Sequence, residues 1–415
     1  MTGSHTLKLP VTHQRPRDRR RQILLDASEL FAQKGFHAVR MEDIAEATEV
    51  TARAIYRHFA NKQDLLSHVI LEDQDRLLAA IEPAGSPESS ADGLQELLAR
   101  LVDASLESLR LGPLWQREAR HLVAEDFARV RDGTRRIGRS VRDAIEQGHP
   151  DQRGFRAEMR AWMTVSIITS PGHYDPPLPR RQLSRVLLCA ALTAVTSPVS
   201  ALSPEAHDLL AVAGPSAAER PAASRREQII AAAARAFRER GFGGVSLDEF
   251  GIAGPAVYRY FESKADVLST LINRVQEWMA LESSRATSHS PSDDQVIDAL
   301  VRGYVHVAAE SPDLLAVSVT EALNLPARAA EREKRIRQDD LAEWVRWLRT
   351  SRVDLAEPVA YALVNAVRTL INDLIRIPHL LQHKEFQDEL IGCSINVLLN
   401  TPVPPPRSAR RGNGK

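Results

Sequence analysis

Residues 19–68 and 225–270 carry one pattern twice. In the first copy Gln22-Ile23, Ala27, Phe31, Gly35-Phe36 and Val39 lead on to Ala54, Tyr56-Arg57, Phe59, Lys62, Asp64 and Leu66. In the second, Gln228-Ile229, Ala233, Phe237, Gly241-Phe242 and Val245 lead on to Ala256, Tyr258-Arg259, Phe261, Lys264, Asp266 and Leu268. The offset is 206 up to Val245 and 202 from Ala256 onward, so the second copy lacks four residues in its middle. A period near half of the 415 residues predicts two similar units fused in tandem. The likeness continues beyond the modules, where Pro113-Leu114, Glu118-Ala119 and Leu122 resemble Pro312, Leu315, Glu321-Ala322 and Leu325.

The net charge is zero, with 54 basic and 54 acidic residues, so any attraction to a polyanion has to be local. One such excess exists at the start, where Lys8, Arg15, Arg17, Arg19, Arg20 and Arg21 stand against Asp18. A basic arm of this kind is either a solvated tail or a phosphate-seeking segment. Cys189 and Cys393 lie in apolar stretches and read as buried thiols rather than a disulfide framework. No signal peptide is recognised, and the longest apolar run, Val186–Val195, falls short of the ~20 residues that span a bilayer. The expectation is a cytoplasmic protein without a membrane partner.

Strand patterns are nearly absent and apolar residues recur with a helical period, which predicts an all-α chain. Ile23, Ala27, Leu30 and Phe31 share one helix face, and Gly35 suits the left-handed residue beyond its end. Short helices follow over Glu42–Thr48 and Ala52–Phe59, with Asn61 capping the next. Long helices are expected over 93–148, 155–170 and 181–196, with a linker-like break at Ser283–Asp294 in the second half. The expected organisation is a basic flexible arm (1–18), a small helical module (19–68), a larger helical domain (69–202), a linker (203–224), a second module (225–270), a second helical domain (271–400) and a disordered tail (401–415). Extended, the linker reaches roughly 70 Å, enough to cross a domain.

Three short helices with a tight turn before the third are the helix-turn-helix plan, which carries a helix into the major groove of DNA. Thr51, Ala52, Arg53 and Ala54 open that helix in the first copy. Arg53 can pair with a guanine edge, and the methyls of Thr51 or Ala52 can meet a thymine methyl. Tyr56, Arg57 and His58 stand one turn later, within reach of phosphates, and Lys62 opens the following helix. Each residue also has a plainer reading. Phe31 and Phe59 are core, His58 can be an ordinary surface histidine, and Arg57 can pair with a carboxylate.

The stretch Arg20–Leu66 closely resembles the DNA-binding domain of the tetracycline-repressor (TetR/AcrR) family. The residues that carry the likeness are Ala27, Phe31, Gly35-Phe36, Ile44-Ala45, Val50-Thr51, Ile55-Tyr56-Arg57-His58-Phe59, Lys62 and Leu65. The resemblance implies an all-helical regulator, with an N-terminal DNA-binding domain and a C-terminal domain that binds a small ligand and dimerises. Two departures matter. Arg40 stands where such proteins usually place a capping Thr or Ser, and it can add a phosphate contact instead. The second copy keeps a capping pair, Ser246 with Glu249, but lacks equivalents of Ala45–Thr48 and of Arg53, and Ala253 replaces Thr51. Its recognition segment, Gly254 to Phe261, predicts a distorted module with base readout lost and at most weak phosphate contacts through Tyr258, Arg259 and Lys264.

Double-stranded operator DNA and an unknown small-molecule effector are therefore the expected partners, with no cofactor. Candidate ligand residues in the first half are Trp115, Glu118, His121 and Trp162, although aromatic residues at helical spacing are more often core. The segments Arg181–Val195 and Phe386–Leu399 correspond to the family's subunit-pairing helices. They can pair within one chain as a four-helix bundle, making a pseudo-dimer, or between two chains as a homodimer. An enzyme is not expected: Gly241-Phe242-Gly243-Gly244 lacks a preceding strand, and no metal-ligand spacing or Ser-His-acid set is recognised. The rival reading is a sensor or protein-interaction module in which both helix-turn-helix units are scaffold.

Overall fold

The computed structural model describes residues 16–82, 91–198, 224–250 and 257–403. Among these the chain is all-α, with seventeen helices and no strand. The first half comprises α1 (Pro16–Lys34), α2 (Met41–Ala47), α3 (Ala52–Ile55), α4 (Lys62–Ile81), α5 (Ala91–Glu107), α6 (Leu111–Glu118), α7 (Ala124–Gly148), α8 (Phe155–Thr169) and α9 (Arg180–Val195). The second comprises α10 (Arg225–Arg240), a 3-10 turn at Leu247–Phe250, α11 (Lys264–His289), α12 (Val296–Glu310), α13 (Pro312–Thr320), α14 (Ala327–Ser351), α15 (Glu357–Leu374), α16 (Pro378–Leu381) and α17 (Phe386–Asn400).

Local chemistry sets the ends of these rods. The Asn61 side chain accepts the Asp64 amide at 2.8 Å while Asp64 accepts the Ala60 amide at 2.7 Å, so two orphan donors at the start of α4 are satisfied reciprocally. Ser263 and Asp266 repeat the device on α11, each bond at 3.1 Å. Gly35 and Gly241 close α1 and α10 at φ of +77° and +74°, where a side chain would be strained. The boundaries expected after 68 and 270 fall inside α4 and α11. Each module is thus joined to its larger domain by a continuous rod.

Several expected spans are redrawn. The α3 helix ends at Ile55 rather than Phe59, because Tyr56–His58 form a turn. The 93–148 helix is three: a turn intervenes after Glu107, and a 3-10 segment at Ala119–His121 separates α6 from α7. The expected break at Ser283 is helical through His289, since Ser283 and Ala286 are buried on the inner face of α11. Among the described residues of the second module, a 3-10 turn at Leu247–Phe250 stands where α2 should be. The arm to residue 15, the linker from 203 to 223, Gly254 to Ala256 of the second recognition segment, and most of the tail lie outside the described residues.

Buried apolar side chains divide into two cores among the described residues. The first module has its own, built on Ile23, Phe31, Ile44, Ile55, Phe59 and Leu65, with Leu114 and Leu122 of the neighbouring domain added. The second module shares one continuous core with both larger domains. The first module thus packs on a core distinct from the one that joins the second module to both larger domains.

The halves meet through α8 and α9 on one side and α15 and α17 on the other. At that seam the buried Glu389 carboxylate accepts Arg156 Nε at 2.7 Å and Arg160 Nη2 at 3.3 Å. Arg160, only 1 % exposed, also donates to the Val195 carbonyl. Asn396 donates to the Thr193 carbonyl at 3.3 Å, and Phe155 stacks on His383 at 4.0 Å. Removing the anion would strand a buried cation. Glu389→Ala should therefore cost about 3–5 kcal/mol in urea unfolding, whereas Arg142→Ala at the half-exposed Arg142–Asp143 pair should stay within about 0.5 kcal/mol.

Candidate nucleic-acid interface and effector cavity

The first module presents a complete helix-turn-helix. Thr51 caps α3 by accepting the Ala54 amide at 3.3 Å. Glu49 turns the chain into it at a φ of +55°. Ile55 and Phe59 are buried and fix the orientation of α3 on the module core. That leaves Thr51, Arg53, Tyr56, Arg57 and His58 exposed, with Tyr56 half-exposed although aromatic. Ala52 is half-buried against the core, so only part of its methyl is available. Arg40 is exposed at the start of α2, where its own amide is capped by Asp43 at 2.8 Å and its guanidinium reaches Asp43 at 3.1 Å. The two ends of that pair shift in opposite senses: the Asp43 carboxyl is held below its ordinary range by the Arg40 amide and guanidinium. An exposed pair of this kind is worth little and yields readily to a phosphate.

The expected role of Lys62 needs correction. Its ammonium donates to the Phe36 carbonyl at 2.7 Å and the Val39 carbonyl at 2.8 Å, and sits 4.3 Å from the Phe36 ring centre. Burial pushes its pKa down. Lys264 makes the same bonds to Phe242 and Val245, each at 2.8 Å. Two of the three donors of each ammonium are spent on holding the loop after α1 or α10, so both are staples before they are anion ligands. Tyr258 and Arg259 are exposed, but the helix they should follow lies outside the described residues.

The ligand residues expected in the first half are also relocated. Trp115 stacks on Phe127 at 5.6 Å, and Trp162 packs over Gly138. Glu118 accepts the Phe36 amide at 3.2 Å, and His121 stacks on Phe36 at 4.8 Å. None of the four lines the large cavity, of about 880 Å³, which opens mainly among helices of the second half. Glu118 and His121 instead tie α6 to the module. Glu321 repeats the Glu118 contact, accepting the Phe242 amide at 3.0 Å, and also takes Arg120 Nη2 from the first half at 2.5 Å. The repeated Glu-Ala pair at 118 and 321 was the sequence signal for this joint. Arg120 and the Glu321 bridge had no such signal, because the contact is between halves.

Among the described residues no cluster of His, Cys, Asp and Glu is arranged to hold a metal ion, and no helix is long and apolar enough to cross a membrane.

Residues 23–69 and 229–271 both match the family of bacterial regulatory proteins, tetR family. The N-terminal domain of that family is thus matched twice in this chain. The activator FasR of Mycolicibacterium smegmatis is 39 % identical over 70 residues, covering 17 % of this chain and 32 % of FasR. The chain thus spans about a third of that relative. The repressor KstR2 of Mycobacterium tuberculosis is 25 % identical over 190 residues, covering 43 % of this chain and 93 % of KstR2. A solved tetR-family regulatory protein from Rhodococcus RHA1 is 26 % identical, covering 42 % of this chain and 95 % of that one at a TM-score of 0.37. These relatives are transcriptional regulators and not enzymes.

The joint titrates. Burial, followed by His37, Arg120 and Lys62 nearby, pushes the His121 pKa from 6.5 down to about 4. The unfolded imidazole takes up a proton near 6.5 and the folded one only near 4, so this stabilisation is complete above pH 6.5 and is lost as pH falls toward 4. Glu118, raised by burial, works in the opposite sense. His121→Asn should flatten the acid side of the stability curve in thermal melts. Lys62→Met should lower the stability of the chain by about 2 kcal/mol in urea unfolding, through its two lost carbonyl bonds.

Proposed function

We propose that the chain is a ligand-responsive transcriptional regulator, reading double-stranded operator DNA through the first helix-turn-helix alone. The exposed row Thr51, Arg53, Tyr56, Arg57 and His58, on the supported α3 with its cap and the turn that follows it, carries this reading. The second module offers a 3-10 turn in place of the supporting helix and no arginine at the Arg53 position. Base contacts need an accurately held helix, so the second module is left with at most phosphate contacts from Tyr258 and Arg259.

The α2–α3 surface is not itself strongly basic. Arg40, Arg53 and Arg57 stand against Glu42, Asp43, Glu46 and Glu49. Long-range attraction then falls to the arm that precedes α1, with Arg19, Arg20 and Arg21 at its base. Repression relieved by a small, mostly hydrophobic effector is our reading of its sense. FasR is named an activator and KstR2 a repressor, so family likeness alone does not choose. The halves pair internally, as a pseudo-dimer, and one chain presents one reading head. The seam at Glu389 supports that reading.

Selection of genomic DNA fragments by the full chain tests the proposal. Retention of no fragment at low ionic strength would make the chain a sensor or interaction module instead. On a selected site, Arg53→Ala should lose about 1–3 kcal/mol of discrimination at one base pair. Arg57→Ala should weaken binding to all sequences and reduce the salt slope by about one, and Arg259→Ala should change neither. Sedimentation should give one chain, 46.0 kDa, per bound site.

A further inference from the structure

We propose that the effector site lies in the second half and that its occupant, a neutral and mostly apolar organic molecule, acts directly on the reading head of the first half. The consequence at DNA rests on the regulator reading above. The site itself does not.

The two halves treat the same space differently. Helices α7 and α14 have equal length and correspond at an offset of 203. On α7, a Cβ at Gly133 would lie 2.4 Å from Gln74, and one at Gly138 would lie 2.8 Å from the Trp162 ring. These glycines let α7 close on α4 and α8, and Trp162 fills what is left. At the same offset the second half has Ile336, Leu341 and Asn365, all on the cavity wall. Bulk on α14 holds it away from α11, and no indole plugs the gap. The bond from Gln74 to the Val130 carbonyl, 2.7 Å, stretches to 3.5 Å in its counterpart from Gln276 to Glu333.

Chemistry changes with shape. Leu101, Ile137 and Val165 of the first half correspond to Tyr304, Asp340 and Arg368. Arg368 bonds Asp340 at 2.7 Å and lies 5.1 Å from the Tyr304 ring centre, while Tyr304 donates to Asn372 at 2.9 Å. A dry core would be the easier solution here, and the sister half uses it. The wall also carries Ile272, Val275, Met279, Leu315 and Val319. Most of its charges are already matched: Arg110 with Glu29, Arg337 with Glu333, Arg368 with Asp340, and Asp373 with Arg376, while Asp339 stands exposed at the rim. A charged group placed among these pairs would have to displace a partner, and a neutral one would not. Gln276 Oε1 is buried without a hydrogen-bond partner, which suits a hydroxyl or amide donor on the occupant. A cavity of about 880 Å³ is within the range of small-molecule sites.

The far wall belongs to the other half. Glu29, Ala32 and Gln33 of α1, Arg110 at the cap of α6, and Gln116 and Arg117 on α6 complete the cavity. Arg117 donates to the Ala32 carbonyl at 2.7 Å, so α6 and α1 meet at the occupant's edge. The core of the first module is separate from the one that lines the cavity, so pressure on α1 and α6 is passed into the module's own packing.

The full chain should bind the neutral fluorophore N-phenyl-1-naphthylamine saturably. Leu341→Gly combined with Asn365→Trp, which installs the first half's own plug, should weaken that binding at least tenfold. Ser318→Trp, which fills the cavity from α13, should do the same. Decanol should displace the probe at a concentration at least tenfold below decanoate or decyltrimethylammonium. Hydrogen exchange of the saturated chain should change at residues 29–33 and 110–117 as well as along α11. The proposal is overturned by no saturable binding, by unchanged affinity in both folded variants, by a charged decyl compound competing best, or by exchange changes confined to the second half. Failure to bind any DNA would overturn the regulator reading and leave all of these outcomes standing.

Discussion

The arrangement of this molecule depends on a buried anion shared between its halves. Glu389 on α17 is held by Arg156 and Arg160 on α8, and Arg160 also reaches the end of α9. A buried ion pair is seldom the most stable filling for a seam, but it is demanding of geometry. Two guanidinium groups and one carboxylate tolerate little sliding of one helix pair on the other. Once that register is set, Arg120 falls beside Glu321 and Gln116 beside Asp373, at 2.7 Å for the latter pair. The cavity acquires its far wall by the same docking.

Duplication of a scaffold frees each copy from part of its work. In the first half the helix-turn-helix is intact and the larger domain is packed shut by Gly133, Gly138 and Trp162. In the second half the supporting helix of the module has shrunk to one 3-10 turn, while the larger domain keeps an open, polar-lined interior. The same staples persist in both: a lysine on two carbonyls and a glutamate on one amide. These parts hold a module to its domain and are needed whether or not the module reads anything.

Much of the fold was legible in the residues, and for local reasons. A cap such as Asn61, a left-handed glycine such as Gly35, and the apolar spacing of Ile23, Ala27 and Phe31 act within a few positions of each other. The exposed row on α3 was legible too, because the buried partners Ile55 and Phe59 leave only one face free. The staple made by Lys62 was not legible, because its bonds go to carbonyls 23 and 26 positions away, and nothing near it in sequence announces them. Trp115 and Trp162 suggested a ligand because aromatic residues, though more often core, also line cavities. Only the neighbour across the space, Phe127 in one case and Gly138 in the other, shows that these two are filling.

The chain's order of residues was enough to determine two helical units, one with a complete helix-turn-helix and one shortened by four residues. Those properties follow from repeats and short-range periodicity, where each residue's partner lies within a turn or two of helix. Which half keeps an open interior, and which helices of the opposite half close it, came from the tertiary structure alone. Those outcomes depend on close approach between side chains roughly 200 positions apart, such as Gln116 and Asp373, and a periodic pattern carries no information about distances of that kind.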